Sequence, residues 1–445
     1  MVQLSTDLEA LYPEHIEQVK RHYLEAATQS GKEGVLIASG SLKTAFLDDH
    51  TYPFKVNPHF KAWLPVTDVN DSFVLIRENE KPQLLYHQPE DYWHMKPKDP
   101  EGYWVDHWNI QSIGDITDAH NLIGDVNTLA FIGEETKLAE NWKFNSINEE
   151  ALLNSIHYER AYKTEYELAC LQLANNQAVI GHQAAEQAFK EGLSEFDIQH
   201  AYLSAIEHRE QQAPYSGIVA LNEHCAVLHY QHYEFIRHSE SNRHSLLIDA
   251  GADQHGYAAD ITRTYAYRDG LFAELIQQLD EAQLAIINAI KVGMNYAELN
   301  EEMHLKLARI LQSTNLVNMS PEAMVETNLT FNFLPHGLGH FLGLQTHDVA
   351  GFQQAKSGGD LPAPEKYPAL RLVRPIEDNQ VFTIEPGLYF IPSLLQNLRQ
   401  SALGNNVNWH LIESLMPCGG IRIEDNIAIR NGSPINMTRE AFAAL

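Results

Sequence analysis

Residues 246–264, LLIDAGADQHGYAADITRT, constrain the fold more than any other stretch, because they read as a β-hairpin with an aspartate in each arm. Leu246 to Ala250 is a short apolar run, Tyr257 to Tyr265 is rich in aromatic and β-branched residues, and Asp253 to Gly256 supplies the turn chemistry. A turn centred between Gln254 and His255 makes Asp249 and Asp260 direct cross-strand neighbours on one face, with Cβ atoms about 4.5–5.5 Å apart. Carboxylates that close repel, and one is driven to protonate unless a cation lies between them. A metal ion, or a pair of ions about 3.5–4 Å apart, meets that need. Two aspartates in solvated turns are the ordinary alternative; the lead-in of Leu246, Leu247 and Ile248 argues against it.

At 445 residues the chain exceeds what one hydrophobic core usually holds, which predicts two domains. Its 59 acidic residues outnumber 31 basic ones for a formal charge of −28, a field that repels nucleic acid and anionic membranes alike. Cys170, Cys225 and Cys418 are too few and too scattered for a disulfide framework or a cysteine-based zinc site, and they fit a reducing compartment. The first residues carry neither a basic leader nor an apolar core, and no apolar run is long enough to span a bilayer. A soluble, cytoplasmic protein is expected.

Residues 6–30 read as an amphipathic helix after an interruption at Pro13, with Ile16, Val19, Tyr23 and Leu24 on its buried stripe. Gly34 to Ser39, Phe73 to Ile76, Gln83 to Tyr86 and Thr128 to Ile132 read as strands. Leu122 to Val126 and Glu135 to Trp142 lie in connections or short helices. This alternation predicts a small α/β domain over residues 1–160. Within it, Phe46 to Pro65 (FLDDHTYPFKVNPHFKAWLP), with Asp48 and Asp49 at its head, reads as an irregular packed loop. Thr164 to Glu167 and Ser194 to Asp197 then form capping boxes that open two helices, the first with Tyr166, Cys170, Leu173, Ile180 and Ala184 at helical spacing. The second domain, residues 161–445, continues with strands at Gly217 to Leu221 and Ala226 to Tyr230 and then the hairpin. Helices near 271–290 and 296–313 follow, with more strands to the end. Gln354 to Tyr367, rich in Gly, Pro and Lys, reads as a surface loop.

Three further stretches carry chemistry. HGLGHFLGLQTHD places His336, His340 and His347 within twelve positions among glycines and apolar residues. One such histidine is more often a satisfied core residue, whereas three favour a site, and the spacing is not the His-Glu-x-x-His of zinc peptidases. In VFTIEPGLYF, Glu385 closes an apolar strand, so it is either charge-paired or a ligand, and the Pro386-Gly387 step can aim it. In GIRIEDNIAI, Ile421, Ile423 and Ile427 mark one face while Arg422, Glu424 and Asn426 share the other. Asp249, Asp260, His340, Glu385 and Glu424 together offer four carboxylates and one imidazole. Such a set suits Mn²⁺, with Co²⁺ and Zn²⁺ as less selective alternatives. Two ions sharing bridging carboxylates can activate a water at neutral pH, which is the chemistry of hydrolysis.

These motifs, with the aromatic stretch 46–65 and the Arg160 to Glu167 junction, resemble bacterial Xaa-Pro dipeptidases (prolidases) over nearly the whole length. That group includes the organophosphorus acid anhydrolases of marine bacteria. The C-terminal half resembles the pita-bread metallopeptidase fold shared with methionine aminopeptidase, aminopeptidase P and creatinase. The resemblance implies an α/β (α+β) architecture in which the small N-terminal domain precedes a curved, mainly antiparallel sheet covered by helices. It implies that Asp249 binds one metal ion, that His340 and Glu385 bind the other, and that Asp260 and Glu424 bridge. Glu385 would also shuttle the proton of the attacking water. His229 would stabilise the tetrahedral intermediate or pass a proton to the leaving proline nitrogen, and His336 and His347 would contact substrate. Arg371 would grip the dipeptide's carboxylate, and Arg422 would support the metal carboxylates. Tyr215, Leu228, Tyr296, Val349 and Leu370 would wall the pocket. Asp48 or Asp49 would reach into a neighbouring subunit's site, which implies a homodimer.

The expected activity is metal-dependent cleavage of Xaa-Pro dipeptides to free proline, with hydrolysis of P–F or P–O bonds in organophosphates as a promiscuous activity. The imide nitrogen resists ordinary peptidases, so an activated water plus a proton donor to that nitrogen is the solution the chemistry asks for. Organophosphate hydrolysis as the main activity, and a non-catalytic binding module, are the alternative readings. The intact five-residue set disfavours the module.

Overall fold

A computed structural model, which describes residues 7–445, places the first helix at Leu8–Gln29. Residue 6, the expected helix start, lies outside the described residues. Asp7 caps the helix by accepting a hydrogen bond from the Ala10 N–H at 3.2 Å. Pro13 does not interrupt it. The bond the proline forfeits is to the carbonyl of Glu9, an exposed residue in the first turn that water can serve, while Tyr12, Ile16 and Tyr23 stay buried on the stripe.

By packing, the chain divides into two units. The first comprises the described residues to Leu171 with Gln254–Tyr257 and Gln353–Asp360. The second comprises Gln172–Asp253, Ala258–Phe352 and Leu361–Leu445. The first unit is built on a five-stranded mixed sheet in the order Asn109–Ile113, Gln83–His87, Phe73–Arg77, Gly34–Ala38, Leu129–Ile132. Leu36, Phe73, Leu75, Leu85, Leu129 and Phe131 form its core with Trp142 and Phe144. The strand Asn109–Ile113 and the helix Glu150–Arg160 escaped the sequence reading: NIQSI carries too few apolar residues to announce a strand, and it lies at the sheet's edge. Phe46 to Pro65 is irregular apart from the single turn Pro58–Lys61, although His59, Phe60 and Trp63 within it are buried.

In the second unit, Ile218–Leu221, Ser245–Asp249 and Thr262–Ala266 form one antiparallel sheet. Val381–Ile384, Asp425–Arg430 and Ser433–Asn436 form another, and Gly387–Tyr389 pairs with Gly420–Arg422. The bridges Thr262–Glu424 and Phe341–Phe382 tie these pieces together. The capping boxes open their helices as expected, at Glu165–Glu191 and Glu195–Ala205. Ala178, Val179, Phe189, Ile198 and Tyr202 from these helices pack on Val219, Leu246, Ile248 and Ile261. Ile180 is exposed instead of joining the stripe. Helices stand at Leu271–Ala289 and Tyr296–Ser313, and the expected run of strands to the end is interrupted by helices at Pro392–Gln400, Trp409–Leu415 and Met437–Ala443. Gln354 to Tyr367 overlaps a small hairpin, Gln353–Ala355 with Gly358–Asp360, that belongs to the first unit. No helix among the described residues is long and apolar enough to cross a membrane.

The opening hairpin forms, but in a different register. His255 (φ 55°) and Gly256 (φ 90°) are the two central residues, the left-handed pair that a tight I′ turn requires, so the turn is centred one residue later than expected. Asp249 therefore pairs with Thr262, and Asp260 lies opposite Gly251, framed by Ala250 N–H to Ile261 O at 3.0 Å and Ala259 N–H to Ala252 O at 2.9 Å. The two aspartates are diagonal neighbours and not direct ones. Because side chains alternate with a period of two, this shift keeps both on one face. Gly251 is obligatory there: a Cβ on it would stand 1.9 Å from the Ala259 carbonyl oxygen. Gly251→Ala is expected to lose ~3 kcal/mol, the upper end for overpacking a filled site. Gly114→Ala, where a Cβ meets nothing within 4 Å, should stay within about 0.5 kcal/mol of the parent on urea unfolding.

Candidate metal centre and active site

The chemistry-bearing residues sit where strands stop. Asp249 is the last residue of Ser245–Asp249, and Glu385 follows Val381–Ile384. Glu424 falls in the gap between Gly420–Arg422 and Asp425–Arg430. The ladders flanking that gap share one register, with Ile384 opposite Asp425 and Gly387 opposite Arg422, so Glu385 faces Glu424 across it. The Glu424 N–H donates to Thr262 O at 3.0 Å, and the Thr262 hydroxyl donates to Glu424 Oε2 at 2.8 Å. The Asp260 N–H donates to Asn426 Oδ1 at 3.0 Å, and the Asn426 amide donates back to the Asp260 carbonyl. The polar face of GIRIEDNIAI is thus buried.

His340 lies in an irregular segment. Its N–H donates to Thr383 Oγ1 at 3.2 Å, and Nδ1 donates to Phe341 O at 2.9 Å, which leaves Nε2 facing the carboxylates. Nε2 stands 3.4 Å from Asp260 Oδ2 and 3.9 Å from both Glu385 Oε1 and Glu424 Oε1. Asp260, His340 and Glu424 are buried and each offers a ligand atom within 4.8 Å of the others. Arg422 Nη2 donates to Asp249 Oδ2 at 2.7 Å, its Nη1 donates to Tyr389 OH at 3.1 Å and its Nε donates to Thr262 Oγ1 at 3.3 Å. Tyr215 OH lies 2.8 Å from Asp249 Oδ1 and 2.6 Å from Asp260 Oδ1, so the hydroxyl marks where the two aspartates converge despite their diagonal register.

Electrostatics show what such a cluster requires. Burial and the repulsion of Asp260, Glu385 and Asp249 push Glu424 well above the usual carboxylate range. Burial raises Glu385 to about 7, against the pull of His340 and Arg422. Burial also raises Asp249 in spite of Arg422. Burial would raise Asp260 too, but the hydrogen bond and charge of His340 outweigh it and hold this carboxyl below its ordinary value. Burial opposes the imidazolium of His340, yet Asp260 raises its pKa. Four carboxylates served by one guanidinium and one imidazole carry surplus negative charge, and oxygen-rich donors with a single nitrogen fit divalent cations.

A cavity of about 760 Å³ opens onto these residues. His229, His336, His347, Arg371, Tyr215, Leu228 and Leu370 line it with the ligand set. His336 Nε2 shares a hydrogen bond with Tyr389 OH at 2.8 Å, and burial and Arg422 lower its pKa to about 4. Partial burial, His340 and Arg371 bring His347 to about 4 as well.

Residues 10–158 match the family described as the N-terminal domain of Xaa-Pro dipeptidase, and residues 169–431 match metallopeptidase family M24. The chain is 48% identical over 432 residues to the Xaa-Pro dipeptidase of Aeromonas hydrophila, covering 97% of this chain and 98% of that protein. It is 46% identical over 434 residues to that of Pseudoalteromonas haloplanktis, with the same coverage. The chain belongs to the M24 metallopeptidase family.

Among solved structures it resembles zinc-substituted Escherichia coli aminopeptidase P in complex with product, with a TM-score of 0.72 at 20% identity over 96% of this chain and 95% of that one. An aminopeptidase from Pseudomonas aeruginosa gives 0.72 at 18% identity over 99% and 96%. These likenesses establish the expected pita-bread fold.

As an M24 metallopeptidase the chain departs from the sequence expectations at several positions. Tyr296 does not wall the cavity: it is fully buried behind the strand, its hydroxyl donating to Thr383 O at 2.6 Å. Val349 is absent from the lining too. His229 stands on a turn after the short helix Asn222–Ala226, where a strand was expected. Asp48 and Asp49 lie exposed in a turn of the first unit. Sequence reasoning missed Thr262, Thr383 and Tyr389, hydroxyls that look like ordinary strand residues until register sets them beside a ligand. Thr262→Val strips the bond from Glu424 and from Arg422 at once. It is expected to lose about 1–3 kcal/mol on urea unfolding in chelator, the usual cost of an abandoned buried polar group.

Proposed function

We propose that this M24 metallopeptidase is a dinuclear dipeptidase that cleaves Xaa-Pro and releases free proline. The convergence of Asp249, Asp260, His340, Glu385 and Glu424 at the base of the cavity carries the reading, and the Xaa-Pro dipeptidases to which the chain is similar support it. Asp249 would hold one ion, His340 and Glu385 the other, and Asp260 and Glu424 would bridge. The oxygen-rich set favours Mn²⁺ over Co²⁺ and Zn²⁺. When bound, such ions supply Lewis acidity and lower the pKa of water.

The chain's own groups do the rest. Glu385 is poised to take the proton of the attacking water and return it. His229 stabilises the tetrahedral carbon or delivers a proton to the proline nitrogen. His336 and His347, neutral near pH 7, contact the substrate without adding charge. Arg371 grips the dipeptide's carboxylate, and Tyr215, Leu228 and Leu370 wall the side-chain pocket. Arg422 anchors Asp249.

The same groups fit a phosphoryl centre, whose geometry in transit resembles that tetrahedral carbon, so P–F and P–O hydrolysis is the secondary activity. A homodimer in which Asp48 or Asp49 meets the neighbouring site accords with the exposed Phe46 and Leu47 beside them. Cys170, Cys225 and Cys418 form no disulfide, which accords with the cytoplasm.

Dialysis against a chelator is expected to abolish Leu-Pro cleavage, and added Mn²⁺ to restore it; inactivity in every metal state would remove the enzyme reading. Asp260→Asn, which removes the carboxylate that faces His340 at 3.4 Å, is expected to lose both bound metal by elemental analysis and turnover. A fully loaded, active variant would show that Asp260 does not bridge.

A further inference from the structure

The helix Leu271–Ala289 buries an apolar stripe through Phe272, Leu275, Leu279 and Ile286, and one amide interrupts it. Gln283 is fully buried. Its Nε2 donates to Ile384 O at 2.8 Å and to Ile423 O at 3.2 Å, and its Oε1 accepts from Arg439 Nη2 at 2.9 Å. Ile384 and Ile423 immediately precede Glu385 and Glu424, so one side chain holds the backbone just ahead of both glutamates.

The reason an amide is needed there is the proline. In an antiparallel ladder, residues that face each other as a hydrogen-bonded pair exchange two N–H···O bonds. Ile423 N–H donates to Pro386 O at 3.2 Å, but Pro386 has no N–H with which to answer the Ile423 carbonyl. A buried carbonyl without a donor costs as much as a lost hydrogen bond. Gln283 supplies the missing donor from outside the sheet, and its second N–H reaches across to the other strand.

We infer that Gln283 is a positioning residue for the glutamate pair: it replaces the ladder bond that Pro386 cannot make and thereby fixes the separation of Glu385 and Glu424. Arg439, itself held by Asp425 at 2.7 Å, orients the amide so that both N–H groups point at the strands. The inference rests on the reading of these glutamates as cation ligands. Gln283 touches neither substrate nor ion and acts through the backbone alone.

The test is calorimetric titration of Mn²⁺ into the full-length chain stripped by chelator, without substrate. Gln283→Met keeps the length of the side chain and removes its donors. It is expected to bind Mn²⁺ about 10–100-fold more weakly, the effect usual for groups that orient metal ligands, while retaining a single cooperative melt. Ile286→Val alters packing on the same helix without touching the amide and is expected to bind as the parent does. A folded Gln283→Met with parental affinity and stoichiometry overturns the inference. Should Gln283→Met fail to fold, Arg439→Lys decides. It keeps a positive charge beside Asp425 but loses the planar fork that reaches Gln283. Weaker binding in that variant supports the inference, and unchanged binding overturns it. A parent that binds Mn²⁺ but does not cleave Leu-Pro sinks the dipeptidase reading and leaves the positioning role standing. A parent that binds no divalent ion overturns both.

Discussion

Everything in the second unit answers to one electrostatic problem: four carboxylates are drawn together out of water. Asp249 and Asp260 come from one hairpin while Glu385 and Glu424 come from strand ends more than a hundred residues further on, and each adds to the cost of the others, as the upward displacement of Glu424 shows. Removing one partner from a buried charge pair typically costs about 3–5 kcal/mol, so the cluster cannot be left to side-chain preference alone. Arg422 compensates Asp249 and His340 compensates Asp260, which leaves the glutamate pair as the part of the cluster least served by the protein's own cations. That is where a divalent cation has most to gain.

The placement of these residues at strand ends has a physical reason. A continuous ladder dictates side-chain direction by strict alternation, whereas a break frees the backbone to turn a carboxylate inward. Each break also strands backbone polar groups, and the structure meets them with side chains. Asn426 serves the backbone of Asp260, Gln283 serves Ile384 and Ile423, and Thr262 serves Glu424 through both its carbonyl and its hydroxyl. The amides and hydroxyls around the cluster therefore perform the work that ladder bonds perform elsewhere.

Much of this was legible in the sequence because the carboxylates follow apolar runs, as in LLID and VFTIE, where a charge has no solvent to meet. The three clustered histidines and the capping boxes at Thr164 and Ser194 were legible for the same kind of reason, since each pairs a residue type with a spacing that few other structures use. What was not legible depends on register or on distant contact. The hairpin's turn was placed one residue early because Gln254-His255 and His255-Gly256 both offer turn chemistry, and only the positive φ at both central residues selects the second. His229 sits in a segment whose alternation suggested a strand but which forms a turn. Tyr296, expected in the pocket wall, is spent on the Thr383 carbonyl. Gln283 gave one signal, a polar residue on a helix stripe otherwise apolar, but nothing in the sequence says what it meets.

The register shift also changes which carboxylates form the close pair. The sequence suggested that Asp249 and Asp260 oppose each other directly; in the structure that arrangement belongs to Glu385 and Glu424, and the aspartates are diagonal. Direct cross-strand neighbours have Cβ atoms about 4.5–5.5 Å apart, while diagonal ones lie about 7–8 Å apart. The glutamates are thus set by backbone geometry, and any change there must move a strand. The aspartates are brought together by side-chain reach, with Tyr215 between them and Arg422 at one end. A cluster assembled from one rigid pair and one adaptable pair can keep a fixed frame while the other half adjusts, and proline at 386 puts the rigid half under the control of a single buried amide.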